Sequence, residues 1–496
     1  MPQAYVTGID IGTGSIKAVS VNETGKPICS LQIFYAADQS INKDEQNPLF
    51  AFEMFKQIIK KLIDDLKAPP QLISLSTAMH SIFAVDRNGK PLMNALLWSD
   101  TRSSSIAEKL RTTGSGKKIY EATGTPIHAM SPLCKIKWIK ENEPKIFEQA
   151  YKFISIKEFI WQRLFDEYKI DYSIASATGL FNIHSLKWES EALNFAGIDE
   201  EKLSEAVATR YTKKLENRTI AEELILPPNT TFCIGSSDGC LANVGSLSLD
   251  HSTAAITIGT SAAVRVTTKK PLISHEQMIF NYLLFDHTYI SGGALNNGGN
   301  IIAWLVQNFL MNEPSKKNYD AVTASLDKTR PGSDGLVFLP YLYAERAPVW
   351  DEKSSGAFVG IRFCHNQNHF TRATIEGICF ALKDNLYSLE KKVGSIEKIK
   401  ISGGVTQHKA IMQILTDVLN KQVVLQDGVD ASALGAAYIG LTVLNPSFQL
   451  SSIIPAGGPE FVPDRKNAVI YDQLFSFYKT IYPSLKNTMH LLSKLH

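Results

Sequence analysis

Short apolar runs alternate along the chain with glycine and proline turns and with longer stretches of helical period. The apolar run Tyr5-Val6, the stretch Ile9-Asp10-Ile11-Gly12-Thr13-Gly14-Ser15 and the run Lys17 to Val21 read as strand, glycine turn, strand. Pro48 then opens a helix in which Leu49, Phe52, Phe55, Ile59, Leu62 and Leu66 share one face. Leu72 to Leu75 predicts a buried strand ending in Ser76-Thr77-Ala78-Met79-His80, and Ile82 to Val85 another, closed by the turn Asp86-Arg87-Asn88-Gly89. After Leu96-Leu97-Trp98, the residues Ser99-Asp100-Thr101-Arg102 read as the capped start of a helix. Ser131-Pro132 starts a further helix, and Ser155-Ile156-Lys157-Glu158 is a capping box for one over Ile156 to Phe165. Asp171 to Ser176 reads as a polar segment, and Leu226-Pro227-Pro228-Asn229 as a linker near which the first domain ends. Phe232 to Gly235 is a strand delivering Ser236-Ser237-Asp238-Gly239 to a helix of small residues, Leu241 to Gly245.

The second half repeats this grammar. Ile256-Thr257-Ile258-Gly259-Thr260-Ser261-Ala262-Ala263-Val264-Arg265 is again strand, glycine turn, strand, with Thr257 where the first copy has Asp10. A strand at Tyr289-Ile290, a helix from Asn297 to Phe309, a proline-bounded loop from Pro340 to Pro348 and a long helix from Phe370 to Val393 come next. The strand at Ile399 and Ile401 leads through Ser402-Gly403-Gly404 into a helix from His408 to Leu419, and Val423 to Leu425 precedes the small-residue helix at Ala433 to Ala437. The fold class is therefore α/β, and 496 residues exceed one core. The expected domains are 1–245 and 246–496.

Composition narrows the function. With 51 basic and 49 acidic residues and no long basic run, neither a nucleic-acid nor a membrane partner is expected, and small-molecule chemistry is favoured. The six cysteines are scattered without a Cys-x-x-Cys pair, which points to buried thiols in a reducing, cytoplasmic setting.

Three strand-borne glycine turns can offer backbone N–H groups to phosphate, with Gly12 and Gly14 expected to adopt dihedrals closed to other residues. No Gly-x-x-x-x-Gly-Lys-Ser/Thr is present, and no Gly-x-Gly-x-x-Gly opens a helix, so neither a P-loop nor a dinucleotide fold is expected. Asp238, at a helix N-terminus, is either a carboxylate kept ionised there or a plain N-cap.

This grammar resembles the actin, sugar kinase and heat-shock chaperone superfamily, in which two RNase H-like domains clamp ATP in a ligand cleft between them. Within it, Met130 to Asn142, and Gly356 to Ile361 with His369 to Gly377, resemble the two signatures of the FGGY carbohydrate kinases. Ala78-Met79-His80-Ser81, Gly124 to His128, Asp171 to Ser176 and Tyr341 to Pro348 are similar to the gluconate kinase branch. The resemblance implies ATP-dependent phosphorylation of a sugar acid, D-gluconate to its 6-phosphate, with xylulose or another sugar or polyol as the alternative. A non-enzymatic, ATP-dependent conformational protein is the reading from another class. By the resemblance Asp238 is the general base, and Asp10 holds magnesium through water. Gly12, Thr13, Gly14, Ser15, Lys17, Gly259, Thr260 and Ser261 are then the phosphate contacts, with Ser402, Gly403 and Gly404 facing adenosine. Gln407-His408-Lys409 and Asp430 to Ala433 depart from the family pattern near the purine. Met79, His80, Trp98, His128 and Tyr172 match positions lining the sugar pocket, where His80 and His128 are candidate donors to the substrate. Met79 and Trp98 also suit core packing. A homodimer is implied by resemblance alone.

Overall fold

The computed structural model describes residues 4–35, 42–285, 287–426, 428–454 and 457–495. The chain packs as two compact units. The first comprises Met1–Leu249, Thr268–Ser291 and Gly428–Pro455, and the second Asp250–Thr267, Gly292–Asp427 and Ala456–His496. Because two late stretches return to the first unit, a single division point along the chain does not describe the packing.

In the first unit the sheet order is Pro27–Phe34, Ser15–Asn22, Tyr5–Ile11, Leu72–Thr77, Thr231–Ser237, Thr212–Lys214. Tyr5–Ile11 is antiparallel to Ser15–Asn22, with Asp10 opposite Lys17, and parallel to Leu72–Thr77, with Asp10 beside Ser76. All seven residues of Tyr5–Ile11 are buried, as a strand covered on both faces requires. The Pro48–Leu66 helix, capped by Asn47 on the amides of Leu49 and Phe50, puts Phe52, Phe55, Ile58, Ile59 and Leu62 into the core of this unit.

The Ala431–Leu444 helix packs on Tyr5–Ile11 and on the Asp238–Gly245 helix. Its small residues allow this approach. A Cβ on Gly435 would stand 2.0 Å from the Leu241 carbonyl oxygen, and one on Gly245 2.0 Å from that of Ala431. Ser432, in the first turn of the Ala431–Leu444 helix, donates from Oγ to the Asp238 carbonyl oxygen at 3.0 Å, which ties that helix start to Asp238.

The second unit repeats the arrangement. Within it the strands run in the order Ala262–Thr268, Thr253–Ile258, Lys398–Ser402, Gln422–Leu425, Glu460–Phe461. Thr253–Ile258 is antiparallel to Ala262–Thr268 and parallel to Lys398–Ser402, so Thr257 lies beside Ser402 as Asp10 lies beside Ser76. The internal repeat is thus structural in its parallel pairing, while the second hairpin turn is one residue shorter, Ile258 facing Ala262 where Ile11 faces Ile16. Among the described residues no helix is long and apolar enough to cross a membrane.

Three local expectations need correction. Ser99–Arg102 does not open a helix, which begins at Ser104. Instead the buried Asp100 is occupied by Arg102, through its backbone N–H (3.1 Å) and its guanidinium (2.7 Å). Asp171–Ser176 is not a plain polar segment but a helix, Tyr172–Ala177, whose cap Asp171 accepts from the amides of Ser173 and Ile174. Its Ser and Ala residues carry no apolar stripe, which hid it. Leu226–Asn229 ends no domain, because the chain goes straight into Thr231–Ser237, an interior strand of the first sheet.

That strand carries one irregularity. Its parallel pairing with Leu72–Thr77 shifts register between Cys233 and Ser236, and Gly235 there has φ +66°. A Cβ on Gly235 would fall 1.8 Å from the Leu75 carbonyl oxygen. Gly235→Ala therefore combines left-handed strain with backbone overlap and is expected to cost about 4 kcal/mol or more, read as a lowered denaturant midpoint.

Candidate active site

The end of Tyr5–Ile11 presents Asp10, which is 5% exposed and accepts a 2.6 Å hydrogen bond from Ser76 Oγ. Burial first, then the charges of Asp430 and Asp238, push its carboxyl up to about 7, against the pull of Lys17 and Ser76. Lys17 Nζ lies 2.5 Å from Asp430 Oδ2, while Asp430 Oδ1 caps the Ala431–Leu444 helix on the Ala433 amide. Burial works against the Lys17 charge, but Asp430 and then Asp10 outweigh it and hold the ammonium above its ordinary pKa. Asp238 opens its helix with Gly239 N–H donating to Oδ1 at 2.7 Å, and Ser432 Oγ donates to the Asp238 carbonyl oxygen at 3.0 Å. Three carboxylates and one ammonium are thus gathered in the first unit.

Among the described residues no group of three or more His, Cys, Asp and Glu side chains could by itself hold a metal ion. The Asp10 carboxylate suits a hard cation that keeps several of its waters, and a positive charge there offsets the repulsion that raises its pKa. Asp430 is the member of this group that sequence reasoning missed. The sequence set it only in a segment that departs from the family pattern near the purine.

The glycine turns differ from expectation in one respect. Neither Gly12 nor Gly14 lies in the left-handed region. Gly12 is needed for room, since a Cβ would stand 2.9 Å from the Ser15 carbonyl oxygen, whereas the Cβ position of Gly14 is open space. Gly12 N–H is used inside the turn, donating to Ser15 O at 3.0 Å, so any phosphate contact falls to Thr13 and the residues after it. Ser15 Oγ accepts from Gln32. In the second unit Gly259 N–H likewise donates to Ser261 O (2.9 Å), and the carbonyls of Gly259 and Thr260 take the amides of Gly299 and Asn300. Thr257 Oγ1 stands 3.3 Å from Ser402 Oγ and accepts from Arg265 at 3.1 Å. Gly403, at φ +109°, turns the exposed backbone of Gly403 and Gly404 away from Ser402.

The residues matched to a sugar pocket all lie in the first unit. His80 has φ +66°, and its Nδ1 is 2.8 Å from the Ala177 carbonyl oxygen. That acceptor fixes the proton on Nδ1, and Nε2 accepts from the Tyr282 hydroxyl at 3.3 Å. The ring is thus tied at both nitrogens within the first unit. His128 differs: Nδ1 accepts from Met130 N–H at 3.1 Å, which leaves the proton of the neutral ring on Nε2. Tyr172 stacks on Phe181 with ring centroids 5.7 Å apart, and Met79 packs with both against Ile174. Trp98 is half-buried just past the Ala95–Leu96 strand. Beneath them lies Lys135, wholly buried, donating to the carbonyls of His80 (2.9 Å) and Leu97 (2.5 Å). Burial pushes its ammonium down to about 7, opposed by Asp100. Sequence reasoning placed Lys135 on a helix without a role.

Known proteins show the family to which the chain belongs. The N-terminal domain of the FGGY family of carbohydrate kinases matches residues 5–245 and its C-terminal domain residues 254–443. A gluconokinase of Bacillus licheniformis is 37% identical over 98% of this chain and 96% of its own. A xylulose kinase of Lactococcus lactis is 29% identical over 98% of each. The crystal structure of gluconate kinase from Lactobacillus acidophilus superposes with a TM-score of 0.91 at 30% identity, covering 97% of this chain and 98% of that one. The chain belongs to the FGGY family of carbohydrate kinases and is a phosphotransferase of the RNase H-like fold.

Proposed function

We propose that this kinase transfers the γ-phosphoryl group of ATP to the terminal hydroxyl of D-gluconate, giving 6-phospho-D-gluconate and ADP. What supports gluconate over a ketose is the 37% identity to a gluconokinase against 29% to a xylulose kinase, each over nearly the full chain.

Asp238 takes the proton of the attacking hydroxyl as its oxygen bonds to the γ-phosphorus and the bond to the bridging oxygen of ADP breaks. Gly239 N–H holds one carboxylate oxygen and leaves the other to accept that proton. Lys17 provides a fixed positive charge toward phosphate, and Thr13, Gly14, Thr260 and Ser261 provide loop donors, the Gly259 N–H being used within its turn as that of Gly12 is. Ser402, Gly403 and Gly404 face the adenosine. Asp10 anchors the hydrated magnesium ion, which when bound withdraws charge from the phosphates. His128 Nε2–H, Trp98, Met79 and Tyr172 orient the polyol chain.

ADP release measured with D-gluconate, D-xylulose and glycerol tests the substrate. Gluconate is expected to give the highest kcat/KM by about a hundredfold or more, the margin expected when a polar pocket loses its partners. Preference for xylulose would refute the gluconate reading while leaving the kinase assignment standing.

A further inference from the structure

Behind Asp238 the first unit contains a buried polar network that the phosphotransfer chemistry does not call for. Lys157 and Asp171 are both fully buried, and Lys157 Nζ lies 2.7 Å from Asp171 Oδ2. The same ammonium donates to the Ser236 carbonyl oxygen at 2.7 Å. Asp171 Oδ1 accepts from the Ser173 hydroxyl at 2.7 Å and from the Ser173 and Ile174 amides. The Ser173 oxygen in turn accepts from Ser236 Oγ (2.6 Å) and from the Ser237 amide (2.7 Å).

Every bond of this network ends on one of two places: the first turn of the Tyr172–Ala177 helix, or the last two residues before Asp238. The second place comes just after the register shift at Gly235, where Thr231–Ser237 has left regular pairing with its neighbour. A bulge re-aims the residues beyond it, and their new direction must then be fixed by other contacts. A buried ion pair is a poor source of stability relative to apolar packing, so stability alone does not account for placing Lys157 among Ile156, Phe159 and Ile160.

We propose that Lys157, Asp171 and Ser173 are positioning residues that lock Asp238 and Tyr172 in register, so that the base meets the hydroxyl of a polyol held against Tyr172. This rests on the reading of Asp238 as general base. The three act through Asp238 and touch no reacting atom.

The test uses steady-state kinetics and thermal melts of the full-length enzyme with ATP and the sugar acid. Asp238→Asn alone first tests the base: retained turnover would remove the base and the positioning claim with it. Ser173→Ala, which removes one hydroxyl and keeps the ion pair, is expected to lower kcat by about a hundredfold, the scale of a small misplacement, with KM for ATP unchanged. In the Asp238→Asn background the same change is expected to have no further effect. An equal fold-loss in both backgrounds would overturn the proposal while leaving Asp238 as base. Asp171→Asn leaves Lys157 charged and buried without its partner and is expected to melt lower. The double variant Lys157→Met with Asp171→Asn removes that charge and is expected to recover melting temperature but not kcat. Recovery of both together would mean that the network only stabilises the fold, and would also overturn the proposal.

Discussion

Asp238→Asn is expected to lower kcat by about two to four orders of magnitude, with the melting temperature and KM for ATP near their original values. The side chain keeps its size, one carboxylate oxygen becoming an NH2 group, and its Oδ1 can still accept from Gly239 N–H, so the helix start and the bond to Ser432 are preserved. Only the capacity to take a proton is lost. Asp238→Glu, which keeps the carboxylate but moves it by a methylene, is expected to lie between the two, because reaction geometry tolerates little displacement. A rise in KM for the sugar acid without a fall in kcat would make Asp238 a binding group rather than the base.

Asp10→Asn is expected to do two opposite things: to lower activity by about a hundredfold or more and to make the unliganded protein more stable above neutral pH. The carboxyl is buried beside Asp430 and Asp238, and its pKa stands at about 7 instead of 3.8. The sign is set by proton uptake. Between those values the folded chain binds a proton that the unfolded chain has released, so this group's contribution to stability is fullest below pH 3.8 and is lost as pH rises through 7. Asparagine keeps the acceptor for Ser76 and removes the charge, so at pH 8 the variant is expected to melt roughly 2 °C or more above the parent, with the difference shrinking toward pH 5. Magnesium should reduce that difference in the parent's favour, because a cation stabilises the carboxylate and cannot do so for the amide. A variant that melts lower at every pH would mean that the Asp10 charge is already compensated within the fold.

Much of the frame was legible because repetition and periodicity are local. The twin hairpins, the capped helix at Ile156–Phe165 and the proline-led helix at Pro48–Leu66 could be read from neighbouring residues alone. What escaped was non-local or chemically disguised. No local signal tells that Gly428–Pro455 returns to the first unit, and with it Asp430 to Lys17. Lys135 read only as one residue of a helix and Lys157 only as part of a capping box, since their partners are backbone carbonyls and an aspartate brought in by folding. The Tyr172–Ala177 helix lacked an apolar stripe, and its cap Asp171 serves the network behind Asp238 as well. His80 and His128 look alike in sequence and differ only in what their Nδ1 atoms meet, a carbonyl in one case and an amide in the other.

The central claim is phosphoryl transfer from ATP to the terminal hydroxyl of gluconate with Asp238 as base. The most direct measurement mixes the protein, magnesium, ATP and D-gluconate with 6-phosphogluconate dehydrogenase and NADP, following NADPH and ADP together. One NADPH per ADP from the parent, and almost none from Asp238→Asn, is the result expected. ADP formed without NADPH, or NADPH formed as fast by Asp238→Asn, would contradict it.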